Sequence, residues 1–205
     1  MRKRMITGML VLMAMGLFGC GVKENKTIRT ETAIDAETPE LTKENTVTYD
    51  SYEQVINGLA EEQAYLYYQF EGMKEQVLIV ADGTYDNGDG TRATIGCRFY
   101  MPREDGRIIE IGEINSYGTA YPIAVYGSYI FACGNHFVGK YTIRESDQSI
   151  VLVESATEEF DEKGVPTYLY FTQETKGDQV VKDDSKLQAL FNEYSEATIL
   201  DFINN

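Results

Sequence analysis

Two hydrophobic spacings divide the chain. Tyr52, Val55, Ile56, Leu59 and Ala60 recur every three or four positions. That period puts them on one face and predicts a helix of about three turns. Ser51 and Gln54, in S-x-x-Q spacing, form a capping box at its start. Gly58 weakens it by about 1 kcal/mol relative to alanine. From Tyr65 the period falls to two. Aromatic and β-branched runs predict strands at 65–70, 76–81, 93–101, 107–114, 122–126, 129–133, 137–144, 149–154 and 167–172. Between them, Asp86-Asn87-Gly88-Asp89-Gly90, Glu104-Asp105-Gly106, Gly127-Ser128 and Glu145-Ser146-Asp147-Gln148 are hairpin signals. Gaps this short force antiparallel neighbours, because a parallel crossover needs a dozen or more residues.

Alternation assigns the faces. Ala93, Ile95, Cys97, Phe99 and Met101 share one side of their strand, and Thr94, Arg98 and Tyr100 the other. Phe137, Tyr141 and Ile143 alternate with Val138, Lys140, Thr142 and Arg144. One face is expected to meet a core, the other water or a partner. Leu187, Leu190, Phe191 and Tyr194 then form the stripe of a second helix, with Asp183, Asp184 or Ser185 as its cap. Ile199, Leu200, Phe202 and Ile203 are expected to dock a tail. The pattern predicts an α+β domain over 48–205: an antiparallel sheet or partial barrel of eight or nine short strands, with a helix at each end. Its length suits one core, and no internal repeat suggests a solenoid or propeller.

The N-terminus is of a different kind. Arg2, Lys3 and Arg4 precede an uncharged apolar run over 5–18. The run is shorter than the roughly 20 residues a transmembrane helix needs, and with its basic start it reads as a signal peptide. Its end, Leu17-Phe18-Gly19-Cys20, resembles the lipobox of bacterial lipoproteins. The resemblance implies cleavage after residue 19, diacylglyceryl attachment to the Cys20 thiol, and a membrane partner reached through that lipid. Two acyl chains hold a protein stably where one is marginal. Residues 20–47, rich in threonine and glutamate, have few large apolar side chains. They are expected to act as a disordered tether.

Charge narrows the partners. The formal net charge is −15, and removing the three basic residues of the signal segment leaves −18. Nucleic acid and anionic headgroups repel such a chain, whereas cations or basic partners are attracted. Besides Cys20 the chain has Cys97 and Cys133, either bridged or buried as free thiols in the apolar runs around them; thiols are favoured because export alone does not ensure an oxidant. No zinc spacing, P-loop, nucleophile elbow or dinucleotide fingerprint occurs.

Three groups remain as candidate sites. His136, the single histidine, follows Cys133 by three residues. Its parity with Lys140 and Thr142 makes it an exposed strand-start residue rather than the base of a cysteine nucleophile. Asp82, Asp86 and Asp89 crowd a Gly-rich loop and offer the oxygen ligands calcium prefers. The EF-hand register fails, and a plain turn accounts for the same residues. Fifteen tyrosines accompany no tryptophan. Tyr65, Tyr67, Tyr100, Tyr168 and Tyr170 fall on strand faces where they form either a binding platform for a sugar or protein or a second core beneath a helix. Ser116 to Pro122 is small-residue rich, and Gly118 allows close backbone approach. The favoured function is a non-catalytic binding or interaction domain anchored to the membrane. The alternatives are a cell-envelope hydrolase with an unusual site and a structural subunit of a membrane complex.

Overall fold

Ser51 starts the first helix as its capping box predicts. The computed structural model describes residues 47–175 and 177–204, so the lipobox and most of the tether lie outside the described residues. After β1 (Thr48–Tyr49) comes α1 (Tyr52–Ile56). Ser51 Oγ accepts from the Gln54 N–H at 3.3 Å, and Gln54 Oε1 accepts from the Asp50 N–H at 2.6 Å. The helix is five residues long, shorter than its periodicity predicts. It ends at Asn57, before Gly58, and Leu59 packs against the same cluster from beyond its end.

The strands follow as β2 (Ala64–Tyr68), β3 (Val77–Ala81), β4 (Tyr85–Asp86), β5 (Arg92–Ala93), β6 (Gly96–Pro102), β7 (Ile108–Asn115), β8 (Ala124–Tyr126), β9 (Tyr129–Gly134), β10 (Phe137–Arg144), β11 (Ser149–Phe160), β12 (Pro166–Thr172) and β13 (Gln179–Val181). Then come α2 (Ser185–Ser195), β14 (Thr198–Ile199) and β15 (Ile203–Asn204). The fold is mostly antiparallel sheet with two helices. One predicted sheet is in fact two. Sheet A has the order β1-β7-β6-β3-β2-β15, and sheet B the order β13-β12-β11-β10-β9-β8-β14; β4 and β5 form a separate hairpin.

Three clusters show how the layers stack. The largest joins the inner faces of both sheets: Leu66, Ile79, Phe99 and Ile111 from sheet A, and Val125, Ile130, Ala132 and Ile143 from sheet B. Leu200 and Phe202 close it, while Ile203 stays 61% exposed at the tail. On the outer face of sheet A, Val55 and Ile56 of α1 cover Leu78, Val80, Tyr100 and Ile108. On the outer face of sheet B, Leu187 and Leu190 of α2 cover Phe131, Cys133, Val138 and Ala156. The order is helix, sheet, sheet, helix. All five residues of β3 are therefore buried, as its unbroken apolar run suggests.

Two register shifts change faces within strands. In β11, Leu152 pairs with Tyr141 but Glu154 pairs with Lys140, leaving Val153 extra. Ile150 and Leu152 therefore face inward, while Glu154, Ala156 and Glu158 face outward. In β7, Ile111 is the extra residue between the pairs Phe99–Gly112 and Tyr100–Glu110. Cys97 lies in the inter-sheet core and Cys133 under α2, so the two free thiols occupy different layers.

Candidate functional site

Tyr65 and Tyr67 lie with Tyr52 on the outer face of sheet A, ring edges 5.5–6.2 Å apart by centroid. Tyr100, on the same face, is 3% exposed and donates to Glu110 Oε2 at 3.0 Å. Burial and the Glu110 carboxylate push its hydroxyl pKa far up. Tyr168 and Tyr170 lie on the outer face of sheet B. Tyr170 packs in the cluster beneath α2, donates to Glu154, and has the Lys186 ammonium 4.8 Å above its ring. The five tyrosines are thus divided between two opposite outer faces, and most of them are walls of helix-covered cores.

The sheet B face left open is the other one. Phe137 pairs with Thr157, Thr157 with Leu169, and Leu169 with Val180. Directly paired residues share a face, so these four form one row across four strands. Its parity is that of Tyr141 and Ile143, which is inward, yet none of the four joins the inter-sheet core. Val180 is 74% exposed. Tyr117, 70% exposed, extends the row, its ring edge-on to Phe137 at 5.8 Å. Sheet B is wider than the part of it that sheet A packs, and the overhang carries this apolar strip to the edge strand β13.

The chain forms an open cleft of about 370 Å³ where β3 and β7 end and β6 begins. Asp82, Thr84, Tyr85, Ile95, Asn115 and Thr119 line it. Asp82 Oδ1 accepts from Arg98 at 2.6 Å and from Gln63 at 3.3 Å. The Tyr85 hydroxyl donates to the Thr119 carbonyl at 2.8 Å, which fixes the ring. The predicted alternation through 93–101 breaks here. Thr94 is buried, its hydroxyl 2.8 Å from the Gly83 carbonyl and 2.9 Å from that of Gly96, while Ile95 turns outward to the cleft.

The remaining candidates are placed as follows. Asp86 Oδ1 accepts from the Gly88 N–H at 2.7 Å, and Asp89 Oδ1 from the Thr91 N–H at 2.9 Å. Those bonds hold the carboxyl of Asp89 below the usual range. Both carboxylates thus build the β4–β5 turn, while Asp82 points to Arg98. Among the described residues, no three His, Cys, Asp or Glu side chains group as a metal site. His136 is exposed, with Nδ1 2.8 Å from Glu158 Oε2 and its ring edge-on to Phe160. Cys133 is fully buried under α2, its thiol pushed up to about 12 by desolvation. A buried, protonated thiol is a poor nucleophile.

Sequence reasoning named Asp82 and the 116–122 segment but missed Asn115, Arg98 and the Phe137–Val180 row. The alternation of Leu169 and Phe171 against Tyr168 and Tyr170 was visible; which side α2 would cover was not. No known family model, curated protein or solved structure matches the chain.

Proposed function

We propose that this chain is a membrane-anchored extracytoplasmic lipoprotein whose 48–205 domain is a non-catalytic interaction module. The lipobox supports the anchor. The observation that carries the interaction reading is the largely apolar row Tyr117–Phe137–Thr157–Leu169–Val180, which stays outside all three cores. Apolar strips of this kind on a sheet edge mark interaction sites. The edge strand also presents unpaired backbone groups to which a partner strand can add. The net charge of −18 left once the signal segment is removed favours a partner with a basic rim. A hydrolase is less well supported, because the thiol three residues before the histidine is sealed under α2.

Two substitutions in the full-length protein test the two halves of the proposal. Cys20→Ser should move the protein from the carbonate-resistant membrane fraction to the supernatant. Leu169→Glu should leave folding and membrane attachment intact, since the side chain is only half-buried, at about 1 kcal/mol or less. It should abolish the crosslinked species that the parent protein forms on intact cells. An unchanged crosslinking pattern in Leu169→Glu would refute the role of the row.

A further inference from the structure

The cleft at the ends of β3, β6 and β7 has a chemistry of its own, independent of the apolar row. We propose that it is a saccharide-binding site that takes a neutral pyranose, with Asp82 and Asn115 bonding the hydroxyls and Tyr85 and Ile95 meeting the apolar face of the ring.

Asp82 and Asn115 are exposed in the cleft, and part of their hydrogen-bonding capacity faces solvent rather than the fold. Asp82 uses Oδ1 for Arg98 and Gln63, and its Oδ2 accepts no hydrogen bond among the described residues. The guanidinium also fixes the carboxylate in direction. The Asn115 carboxamide makes no hydrogen bond among the described residues, although it lines the cleft. It lies directly over Gly96: a Cβ built there would sit 2.5 Å from Asn115 Oδ1. The bare glycine thus makes the space in which the carboxamide rests. Thr84 Oγ accepts from Arg92 at 2.5 Å, which leaves its own proton to donate.

These groups select a class of ligand. A carboxylate oxygen accepts, a carboxamide does both, and a hydroxyl donates; adjacent sugar hydroxyls, each donor and acceptor, satisfy all three. The tethered Tyr85 ring and the 36% exposed Ile95 supply apolar surface for the C–H face of a pyranose. A volume of about 370 Å³ lies at the lower end of small-ligand clefts, roughly 300–1,000 Å³. The net acidity of the chain as a whole repels uronates and phosphorylated sugars. One carboxylate alone does not satisfy a hard cation, which takes several oxygen ligands.

Saturation-transfer NMR on the full-length protein, in a detergent without a sugar headgroup, tests this. The probes are methyl glycosides of glucose and N-acetylglucosamine, with glucuronate as the charged control. At least one neutral glycoside should bind with a dissociation constant on the order of 1–10 mM, and glucuronate should give no transfer. Asn115→Ala should weaken binding about tenfold, the loss of one hydrogen bond, with the melting temperature unchanged because the carboxamide has no partner in the fold. Gly96→Ala, which displaces that carboxamide without deleting it, should weaken binding similarly. Leu169→Glu should bind sugar normally, which separates this site from the apolar row. The proposal is overturned if neither neutral glycoside binds, if glucuronate binds as well as they do, or if Asn115→Ala binds like the parent.

Discussion

Gly139 lies in β10 between two aromatic residues of the same face, and both rings fold over it. A Cβ there would stand 2.8 Å from Phe137 Cζ and from Tyr141 Cε2. Tyr141 packs against the inter-sheet core and has little room to yield. Gly139→Ala should therefore destabilise by about 1–2 kcal/mol through overpacking, read as a lower urea midpoint at unchanged slope. A second local prediction concerns Asp147. Hydrogen bonds from Arg144 and Ser149 hold its carboxyl at about 2. A depressed folded-state pKa stabilises above the unfolded value of about 3.9 and loses that contribution as pH falls through the folded value. The stability difference between the parent and Arg144→Ala should therefore be constant above about pH 5 and vanish toward pH 2; a difference that persists at pH 2 would contradict the assignment. At this scale the turn chemistry was legible, since Glu145-Ser146-Asp147-Gln148 announces a hairpin. The space above Gly139 was not, because it depends on two rings meeting across one residue.

At the scale of elements, α2 shows most clearly how pattern becomes packing. Its predicted stripe, Leu187, Leu190, Phe191 and Tyr194, is the surface that docks on sheet B. The Tyr194 hydroxyl also donates to the Pro122 carbonyl at 2.9 Å. Beneath the helix, Lys140 extends from β10 to Glu193 at 2.5 Å and to Glu154 at 3.9 Å, with its ammonium 4.4 Å above the Tyr129 ring. Leu190 is 1% exposed, so Leu190→Ala should lose about 2–5 kcal/mol. Amide exchange should show α2 and the outer face of sheet B losing protection together. If only the helix amides lost protection, the two would not be one docked unit. The polar parity of Lys140 left its face to water or a partner; α2 covers it, and the lysine is retained there by two carboxylates and a ring. The bulge at Val153 was equally hidden: an extra residue leaves no mark in composition, and it reverses which side chains of β11 face the core.

For the whole molecule, the four layers set how it responds to oxidation and alkali. Cys97 and Cys133 are buried in different layers, and desolvation raises both thiols. Neither should react with iodoacetamide until the domain unfolds, and mass spectrometry should find both reduced; a linked Cys97–Cys133 peptide would overturn the layer assignment. Alkali acts through the tyrosines. Burial, with help from Glu75, raises Tyr52 to about 12; burial does the same for Tyr141, and burial with the Glu154 bond for Tyr170. A raised folded-state pKa favours the fold below the unfolded value of about 10 and loses that effect as pH rises through the folded value. Stability should thus fall between about pH 10 and 12, with tyrosinate absorbance and loss of structure rising together.

The sequence by itself determined the element types, because local period and turn chemistry are written in neighbouring residues. It determined antiparallel pairing of strands adjacent in the chain, because their short loops permit nothing else, but not of distant pairs such as β1–β7 and β3–β6. It also determined both helix stripes and the net acidity of the chain. Tertiary structure alone decided that the strands divide between two sheets, since fifteen short segments carry no mark of which sheet each joins. It decided that helices cover the faces bearing Tyr65, Tyr100 and Tyr170 while the Phe137–Leu169–Val180 row stays uncovered. Alternation defines two faces of a strand but not which neighbour each will meet. The cleft was invisible for the same reason: Asp82, Gly96 and Asn115 are far apart in sequence and meet only where the ends of three strands lie side by side.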